Sequence, residues 1–584
     1  MGIIEKIKDL KAPKAVWNKY YDKNERDLVI KEKSLYQILE ECSIKYPSLN
    51  AFDYFGNKTN YDTFIKKVNS ASLAFRNQGI RQGDVVSILM PNTPEALISL
   101  YALNKIGAIA EMIHPLSSEM EIKEYLNSTG SVMLVMIDIC YEKVKNIIKD
   151  TNVYKTVVVS VKDSMSFWMG LGYEIMKGFK IKKPSKNSHY IYWKDFIYRG
   201  NDYESDYDVL VKSEDPAVIL HSGGTTGSPK SIVLSNRNFN ALAGQIELML
   251  PDVIPGDKIL GILPVFHGFG LGVSMHCAFD KGVEVVLIPQ FDARKFDKLL
   301  IKHRPNVLLG VPTLYEALSN IDNPKLDLSC VKYVISGGDN LTKGSIRRIN
   351  TFLLEHNCSA KVLQGYGMTE SLAAVCVAFK KSTNKECSMG IPLPGNYLKI
   401  VTPNTQEEVK PGEDGEICIS GPTVMMGYLD NDKETNEVLQ LHKDGRIWLH
   451  TGDIGYMDND GVFFYRQRIK RMLISSGFNI YPSQIENVIL EHEAVLNCSV
   501  IGIPHKYKVQ VAKAFIVLKN GYSPTMAVKN SIKEHCKKHL AKYSLPYEYE
   551  FRKSLPKTII GKIDFKKLQD EETERIIKKQ NNQK

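Results

Sequence analysis

Short apolar runs recur along most of this chain, many of them closed by Gly, Ser, Thr or His and several set apart by segments of helical period. That alternation limits the possible folds more than any other feature. After Asp84, the run Val85 to Met90 reads as a strand. Thr93 then offers an N-cap, Pro94 fits the first helical turn, and Gly107 follows the last periodic residue, so residues 94–105 are predicted to be helical. A second strand is expected at 108–113, and others at 217–220, 259–263, 283–288, 307–310, 331–335 and 362–364. Strands joined through helices pair mostly in parallel, so the fold class is α/β. Ligands in such sheets collect beyond the carboxyl ends of the strands. The polar residues closing these runs are therefore the first place to look for a site.

The chain has 584 residues, more than one domain usually holds. Near Arg466-Gln467-Arg468-Ile469-Lys470-Arg471, glycine-rich turns give way to a compact run of small-domain size. The expected division is a large domain over 1–469 and a small one over 470–584. The charged end, from Asp570, is expected to be a frayed helix or tail. Apolar residues at 43% and charged residues at 24% are ordinary for a soluble protein. Ten scattered cysteines, without a CxxC pair, read as reduced thiols. The first residues lack the apolar core of a signal peptide, and Lys6 stands where a myristoylation signal wants Ser or Thr. The longest apolar run, 259–273, is broken by Pro264, His267 and glycines, so no membrane span is expected. A cytoplasmic protein is the expectation. The net charge of +10 suits anionic small molecules or an anionic membrane surface. Without a nucleic-acid-binding motif, nucleic acid is not an expected partner.

One loop stands out: Ser222-Gly223-Gly224-Thr225-Thr226-Gly227-Ser228-Pro229-Lys230. It follows the strand pattern Asp215 to His221. A strand running into a glycine-rich turn gathers backbone N–H groups that can cradle phosphate oxygens. The hydroxyls add donors and Lys230 adds a positive charge. The spacing is not that of the P-loop, so the loop is a different phosphate cradle or an ordinary flexible turn.

The loop resembles the [ST]-[SG]-G-[ST]-T-G-x-P-K signature of the adenylate-forming superfamily, which includes acyl-CoA synthetases, peptide-synthetase adenylation domains and beetle luciferases. Further matches follow in order: Gln364-Gly365-Tyr366-Gly367-Met368-Thr369-Glu370, Thr451-Gly452-Asp453, Arg468, Ser475 to Pro482 with Ile485-Glu486, and Leu555-Pro556-Lys557-Thr558 with Gly561-Lys562-Ile563. The resemblance spans roughly residues 35–568. It implies a large N-terminal domain of two packed α/β subdomains plus a small β-barrel-like one. A small mobile α+β domain, swinging about Lys470, would follow. It also implies two half-reactions. A carboxylate attacks the α-phosphate of ATP, giving an acyl-adenylate and pyrophosphate; a thiol, commonly of coenzyme A, then displaces AMP.

In that scheme the 222–230 loop, from Ser222 through Gly223, Gly224, Thr225, Thr226, Gly227 and Ser228 to Lys230, holds the β- and γ-phosphates. Glu370 holds Mg2+ with Thr225, since Mg2+ favours carboxylate and phosphate oxygens. Gly337 and Gly338 line the adenine site and Tyr366 stacks there, flanked by Gln364, Gly365, Gly367, Met368 and Thr369. Asp453 accepts from the ribose hydroxyls, with Arg468 nearby. Gly477 lets the pantetheine arm pass. His267 sits beside the acyl site. Lys562 is the expected catalytic cation, placed where charge develops between carboxylate and α-phosphate. Each has a plainer reading. Glu370 suits a helix first turn, Tyr366 and His267 suit a core, Asp453 suits an Asx turn, and Lys562 suits a solvated surface. Two positions depart from the family pattern: Arg471 stands where an acid is expected, and Gln467 where Gly or Asp is usual.

The opening Trp17 to Asp22 and the segment Ser475 to Glu486 look closest to medium- and long-chain fatty acyl-CoA synthetases. The candidate acyl lining, 267–272, 310–312 and 372–377, shows no cation to pair with a second carboxylate. The rival readings are an acyl-AMP ligase loading a carrier protein, an aryl- or short-chain acid ligase, an inactive nucleotide-binding relative and a luciferase-type oxygenase. Two segments are candidates for lipid contact. One is the N-terminal face of Ile3, Ile4, Ile7 and Leu10; the other is 164–186, which mixes aromatics with lysines and otherwise reads as a surface loop. A homodimer and peripheral membrane contact both stay open.

Overall fold

The computed structural model describes residues 15–26, 28–176, 178, 181–185, 189–203, 209–222, 230–379, 383–475, 478–505, 509–540, 542–557 and 563–581. Contacts divide the chain into two compact units. The first holds residues up to 341 with 345–398 and 419–449; the second holds 342–344, 399–418 and 450–584.

The first unit carries two large sheets. In one of eight strands, Val85–Leu89 lies between Ile109–Ile113 and Met133–Ile137, all parallel. The other has nine strands, with Lys258–Gly261, Glu284–Leu287, Val307–Gly310, Tyr333–Ser336 and Val362–Tyr366 parallel at its centre. The predicted α/β architecture is therefore present. The helix Pro94–Lys105 also has its predicted bounds, with the Thr93 hydroxyl accepting from Ala96 N. It packs on the eight-stranded sheet and against the helix Tyr61–Asn77, which lies on Asn50–Tyr54 of the nine-stranded sheet. Burial of nearly the whole helix explains its lack of a polar face.

Asn92 ties the two sheets together. Its Nδ2 donates to Gly261 O at 2.7 Å and Leu263 O at 2.9 Å, and its Oδ1 accepts from Val265 N at 2.9 Å. The same buried layer holds His276. Asn240 Nδ2 is spent on Lys31 O and Lys33 O, so Asn240 Oδ1 faces His276 Nε2 as an acceptor at 3.0 Å. His276 Nδ1 then accepts from the Tyr101 hydroxyl at 3.0 Å. Burial pushes this imidazole down to about 3, so it is a neutral core group.

The apolar run 259–273 does not continue as one element. It ends its strand at Gly261, turns at Pro264, and enters a buried π-helix, Phe269–His276. Among the described residues no helix is long and apolar enough to cross a membrane. All ten cysteines are unpaired, and eight are buried.

In the second unit, Val509–Leu518 is the central strand of a five-stranded sheet and pairs along its length with Val495–His505. Helices Pro482–Leu490 and Met526–His539 help to close its core through Ile485, Ile489 and Ile532. The charged C-terminal stretch is helical, one of the two forms expected, but the helix is docked and not frayed. It forms most of the helix Phe565–Asn581, which buries Leu568 against Ile501 and Val511. Glu572 reaches the buried Lys513 at 2.8 Å, with Glu550 at 3.0 Å. Burial lowers the Lys513 pKa, but hydrogen bonds to Glu572 and Glu550 more than offset it.

Glu95, on the first-unit helix, is a buried acid with one close donor, the Ser164 hydroxyl at 2.5 Å. Burial pushes its carboxyl up to about 7, against the pull of Ser164. A raised acid stabilises the fold fully below its unfolded pKa and loses that contribution as pH climbs to the folded value. Glu95→Gln should therefore match the parent near pH 4.5 and exceed it at pH 8 by on the order of 1–3 kcal/mol. Denaturation midpoints at the two pH values test this; a difference that does not change with pH would refute it.

Candidate active site

The loop flagged first in the sequence connects two antiparallel strands, Pro216–Ser222 and Lys230–Ser235, with Ser222 opposite Lys230. The two ends of the predicted cradle therefore face each other. Gly223, Gly224, Thr225, Thr226, Gly227 and Ser228 lie outside the described residues, as do Gly477, Lys562 and the N-terminal face Ile3 to Leu10.

Around His221, near the end of the strand Pro216–Ser222, lies a polar cluster that spacing did not reveal. His221 Nε2 meets Glu111 Oε1 at 2.9 Å, and the Tyr125 ring stacks on His221 at 3.9 Å. The other Glu111 oxygen accepts from Thr129 Oγ1 at 3.0 Å and from the Ser87 hydroxyl. Glu111 is fully buried, so these donors replace water around its carboxylate. They come from three segments, each distant from Glu111 in sequence, which is why no local motif marks them.

A second cluster forms where the short strand Gly427–Tyr428 pairs with Lys230–Ser235. Tyr428 donates to Glu370 Oε1 at 3.1 Å, and Lys230 Nζ lies 4.5 Å from the Tyr428 ring centre. Lys230 also pairs with Glu434 at 2.6 Å. That hydrogen bond holds the Glu434 carboxyl below the usual range. Lys230 and Glu370, far apart in sequence, are thus joined through one tyrosine. Neither Tyr428 nor Glu434 was flagged by sequence reasoning.

Glu370 is buried in a single 3-10 turn, Thr369–Ser371, and does not start an α-helix. The turn doubles back: Leu372 and Ala373 have φ of 46° and 74°, Ala373 N donates to Met368 O, and Val375 N donates to Tyr366 O. Gly367 is required here. A Cβ at that position would sit 1.3 Å from Ala373 O. The doubling back pairs Gly365 and Tyr366 with Val377 and Cys376, and Tyr366 is buried.

Gln364 acts through its side chain, its Oε1 accepting from Leu341 N at 2.9 Å. That bond anchors the loop leaving Tyr333–Ser336, in which Gly337 N donates to Gly310 O and Gly338 takes φ 79°. His267 begins the turn into the π-helix, with its N–H on Pro264 O at 3.1 Å. Its neighbour Phe266 packs on His114, ring centres 4.1 Å apart. Burial lowers the His114 pKa. The first unit thus holds Ser222, Lys230, His267, Gly337, Gly338 and the 364–370 stretch.

Asp453 and Arg468 belong to the second unit. They face each other across the hairpin Ile447–Met457 and Phe463–Arg468, with Arg468 Nε 3.0 Å from Asp453 Oδ1. Thr451-Gly452-Asp453 is therefore strand, not an Asx turn. Here the Thr451 hydroxyl accepts from Asp453 N at 3.0 Å, and Glu416 accepts from Gly452 N at 2.9 Å. The unusual Arg471 finds an acid elsewhere: Glu486, at 2.5 Å, which also accepts from Val500 N.

Two family models match the chain: AMP-binding enzyme over residues 39–429, and AMP-binding enzyme C-terminal domain over 484–562. A long-chain-fatty-acid–CoA ligase of Bacillus subtilis is 32% identical over 94% of this chain and 96% of its own length. One from Salmonella typhimurium is 30% identical, covering 92% and 94%. A crystal structure of an anthranilate CoA ligase in complex with anthranoyl-AMP superposes with a TM-score of 0.79. It is 24% identical, covering 93% of this chain and 98% of that one.

Replacing His221 with Phe keeps a ring for Tyr125 but removes a donor from buried Glu111. The expected cost is about 1–3 kcal/mol, the usual penalty for a stranded buried acceptor. Urea denaturation measures it; an unchanged midpoint would mean that Glu111 does not depend on this imidazole.

Proposed function

We propose that this chain activates medium- or long-chain fatty acids, on the premise that it belongs to the AMP-binding enzyme family. It is an AMP-forming acid–thiol ligase, and ATP, Mg2+ and coenzyme A are its co-substrates and metal. The observation that carries the fatty-acid reading is the similarity to long-chain-fatty-acid–CoA ligases over nearly the full length of both chains. The candidate acyl lining agrees: Leu271, Leu372, Val375, Cys376 and Val377 are buried and apolar.

In the proposed first step a fatty carboxylate oxygen attacks the α-phosphorus of ATP, and pyrophosphate leaves. The 222–230 loop would hold the β- and γ-phosphates. For that, Lys230 would exchange Glu434 for phosphate oxygens. Mg2+ would neutralise charge on the phosphates when bound. Glu370 fits it, because Tyr428 occupies only part of the capacity of a carboxylate with about four lone-pair sites. Thr225 would complete that site. Gly337, Gly338 and Tyr366 would receive adenine, with Gln364 holding the loop and Gly365, Gly367, Met368 and Thr369 shaping the turn. Asp453, oriented by Arg468, would accept from the ribose hydroxyls. Lys562 would place its ammonium where the entering carboxylate meets the α-phosphate. His267 would flank the acyl group.

In the second step the coenzyme A thiolate attacks the acyl-adenylate carbonyl, AMP leaves, and a thioester forms. Gly477 would let the pantetheine pass. Residues 470–584, turning about Lys470, would serve the two steps in succession.

The deciding assay is AMP release with MgATP and a panel of short, medium, long and aromatic acids, with and without coenzyme A. Coenzyme-dependent release peaking on medium or long chains is expected. A peak on benzoate or acetate would overturn the fatty-acid reading, and release independent of coenzyme would point to a carrier-protein acceptor. Glu370→Gln should lower adenylation by roughly 10²–10³, the range for losing one charge-stabilising group. Lys562→Ala should abolish adenylation yet still convert supplied acyl-adenylate to thioester; loss of both half-reactions, or of neither, would remove Lys562 from its role.

A further inference from the structure

The segment 164–186 contains the described helix Phe167–Met176, and its polarity is inverted. On a helix of a water-facing surface, charged residues point outward and apolar ones inward. Here Phe167 is 76% exposed, Trp168 77%, Ile175 65% and Met176 74%, with Met169 and Leu171 also outward. The helix's one charge, Glu174, is half-buried in ion pairs with Lys162 at 2.8 Å and Lys183 at 3.4 Å.

The helix is mounted, not loosely tethered. The Tyr54 hydroxyl donates to Val161 O and Asn57 Nδ2 to Ser164 O, both at 2.9 Å, while Ser164 donates to Glu95. Lys183 comes within 4.0 Å of Asp138, beside the exposed Ile139, and Lys182 reaches Glu142 at 3.4 Å. The acids around the helix are thus largely matched by lysines. Residues 161–186 carry six lysines against two acids, a net charge of +4. Lys162, Lys182 and Lys183 are ion-paired, so the excess charge is carried in the sequence by Lys177, Lys180 and Lys186, which lie outside the described residues. A wide exposed aromatic and aliphatic face within a segment of net positive charge has the chemistry of an interfacial helix.

We propose that the helix Phe167–Met176 is a docking element for an anionic lipid surface, inserting Phe167, Trp168, Ile175 and Met176. This stands on the surface itself and not on the ligase reading, so either can fail alone.

The test is sedimentation of the full chain with vesicles of phosphatidylcholine and phosphatidylglycerol, against pure phosphatidylcholine. Tryptophan emission is followed in parallel. Trp17, Trp193 and Trp448 are buried, so a blue shift on binding reports Trp168. The protein should pellet with anionic vesicles, more weakly with neutral ones or at high salt, and shift to the blue. Trp168→Phe should still pellet but lose the shift. A triple variant, Phe167→Ser, Trp168→Ser and Ile175→Ser, should partition at least tenfold less, as expected for losing three large buried side chains. Its coenzyme-dependent AMP release on detergent-dispersed acid should stay unchanged, which separates docking from misfolding. The proposal is overturned if the parent does not pellet, or if the triple variant pellets like the parent, which would place binding elsewhere on the chain. It is equally overturned if the variant instead abolishes a concentration-dependent dimer seen without lipid.

Discussion

The three hydrogen bonds of Asn92 are the constraint on which the first unit depends. Asn92 follows one sheet's strand, and the groups it binds lie at the end of a strand of the other and just beyond it. A hydrophobic layer between two sheets holds them together but not in register, because apolar contact is non-directional. A buried amide with its hydrogen bonds filled is directional, and leaving it unpaired is costly. The bonds fall on Gly261, Leu263 and Val265, the chain that turns at Pro264 and leads to His267. What aligns the sheets therefore also sets the turn carrying a candidate acyl-site residue.

Three buried carboxylates show how this fold uses charge. Glu111 is surrounded by donors from Ser87, Thr129 and His221 at the root of the glycine-rich loop. Glu95 has Ser164 and is held near neutral by burial. Glu370 has Tyr428 and lies in the same cluster as Lys230. The first is saturated and structural, and the second is tuned toward losing its charge. The third is only partly satisfied, which leaves carboxylate lone pairs that a metal ion could use.

Much of the scaffold was legible in the sequence because its signals are local. Thr93, Pro94 and Gly107 bound a helix through capping chemistry that needs no partner, and the short apolar runs became strands within a few residues of the expected places. Ser222 and Lys230 were legible as two ends of one loop. What was missed is long-range. Tyr428 reaches Glu370 only because two strands distant in sequence pair, and Glu111 meets His221 across 110 positions. The charged C-terminal stretch misled for the same reason. Its anchor, Lys513, lies on a strand that nothing in the stretch itself announces.

Apolar composition was the least decisive signal, and two segments show why. The glycine-rich run around 269–276 and the stretch 167–176 both read as apolar and aromatic. One becomes a π-helix packed against Asn236–Met249 and the core, the other a helix with no buried residue. Hydropathy states that a surface leaves water; it does not state which phase receives it. The difference lies in the neighbours. The first run ends in His276, which is buried against Tyr101; the second is followed in the sequence by lysines that have no place in a core. An apolar helix inside the protein cannot tolerate such a flank, because burying several ammonium groups costs far more than the apolar face gains. Outside the protein the same flank is compatible with one surface above others, one whose own charge is negative.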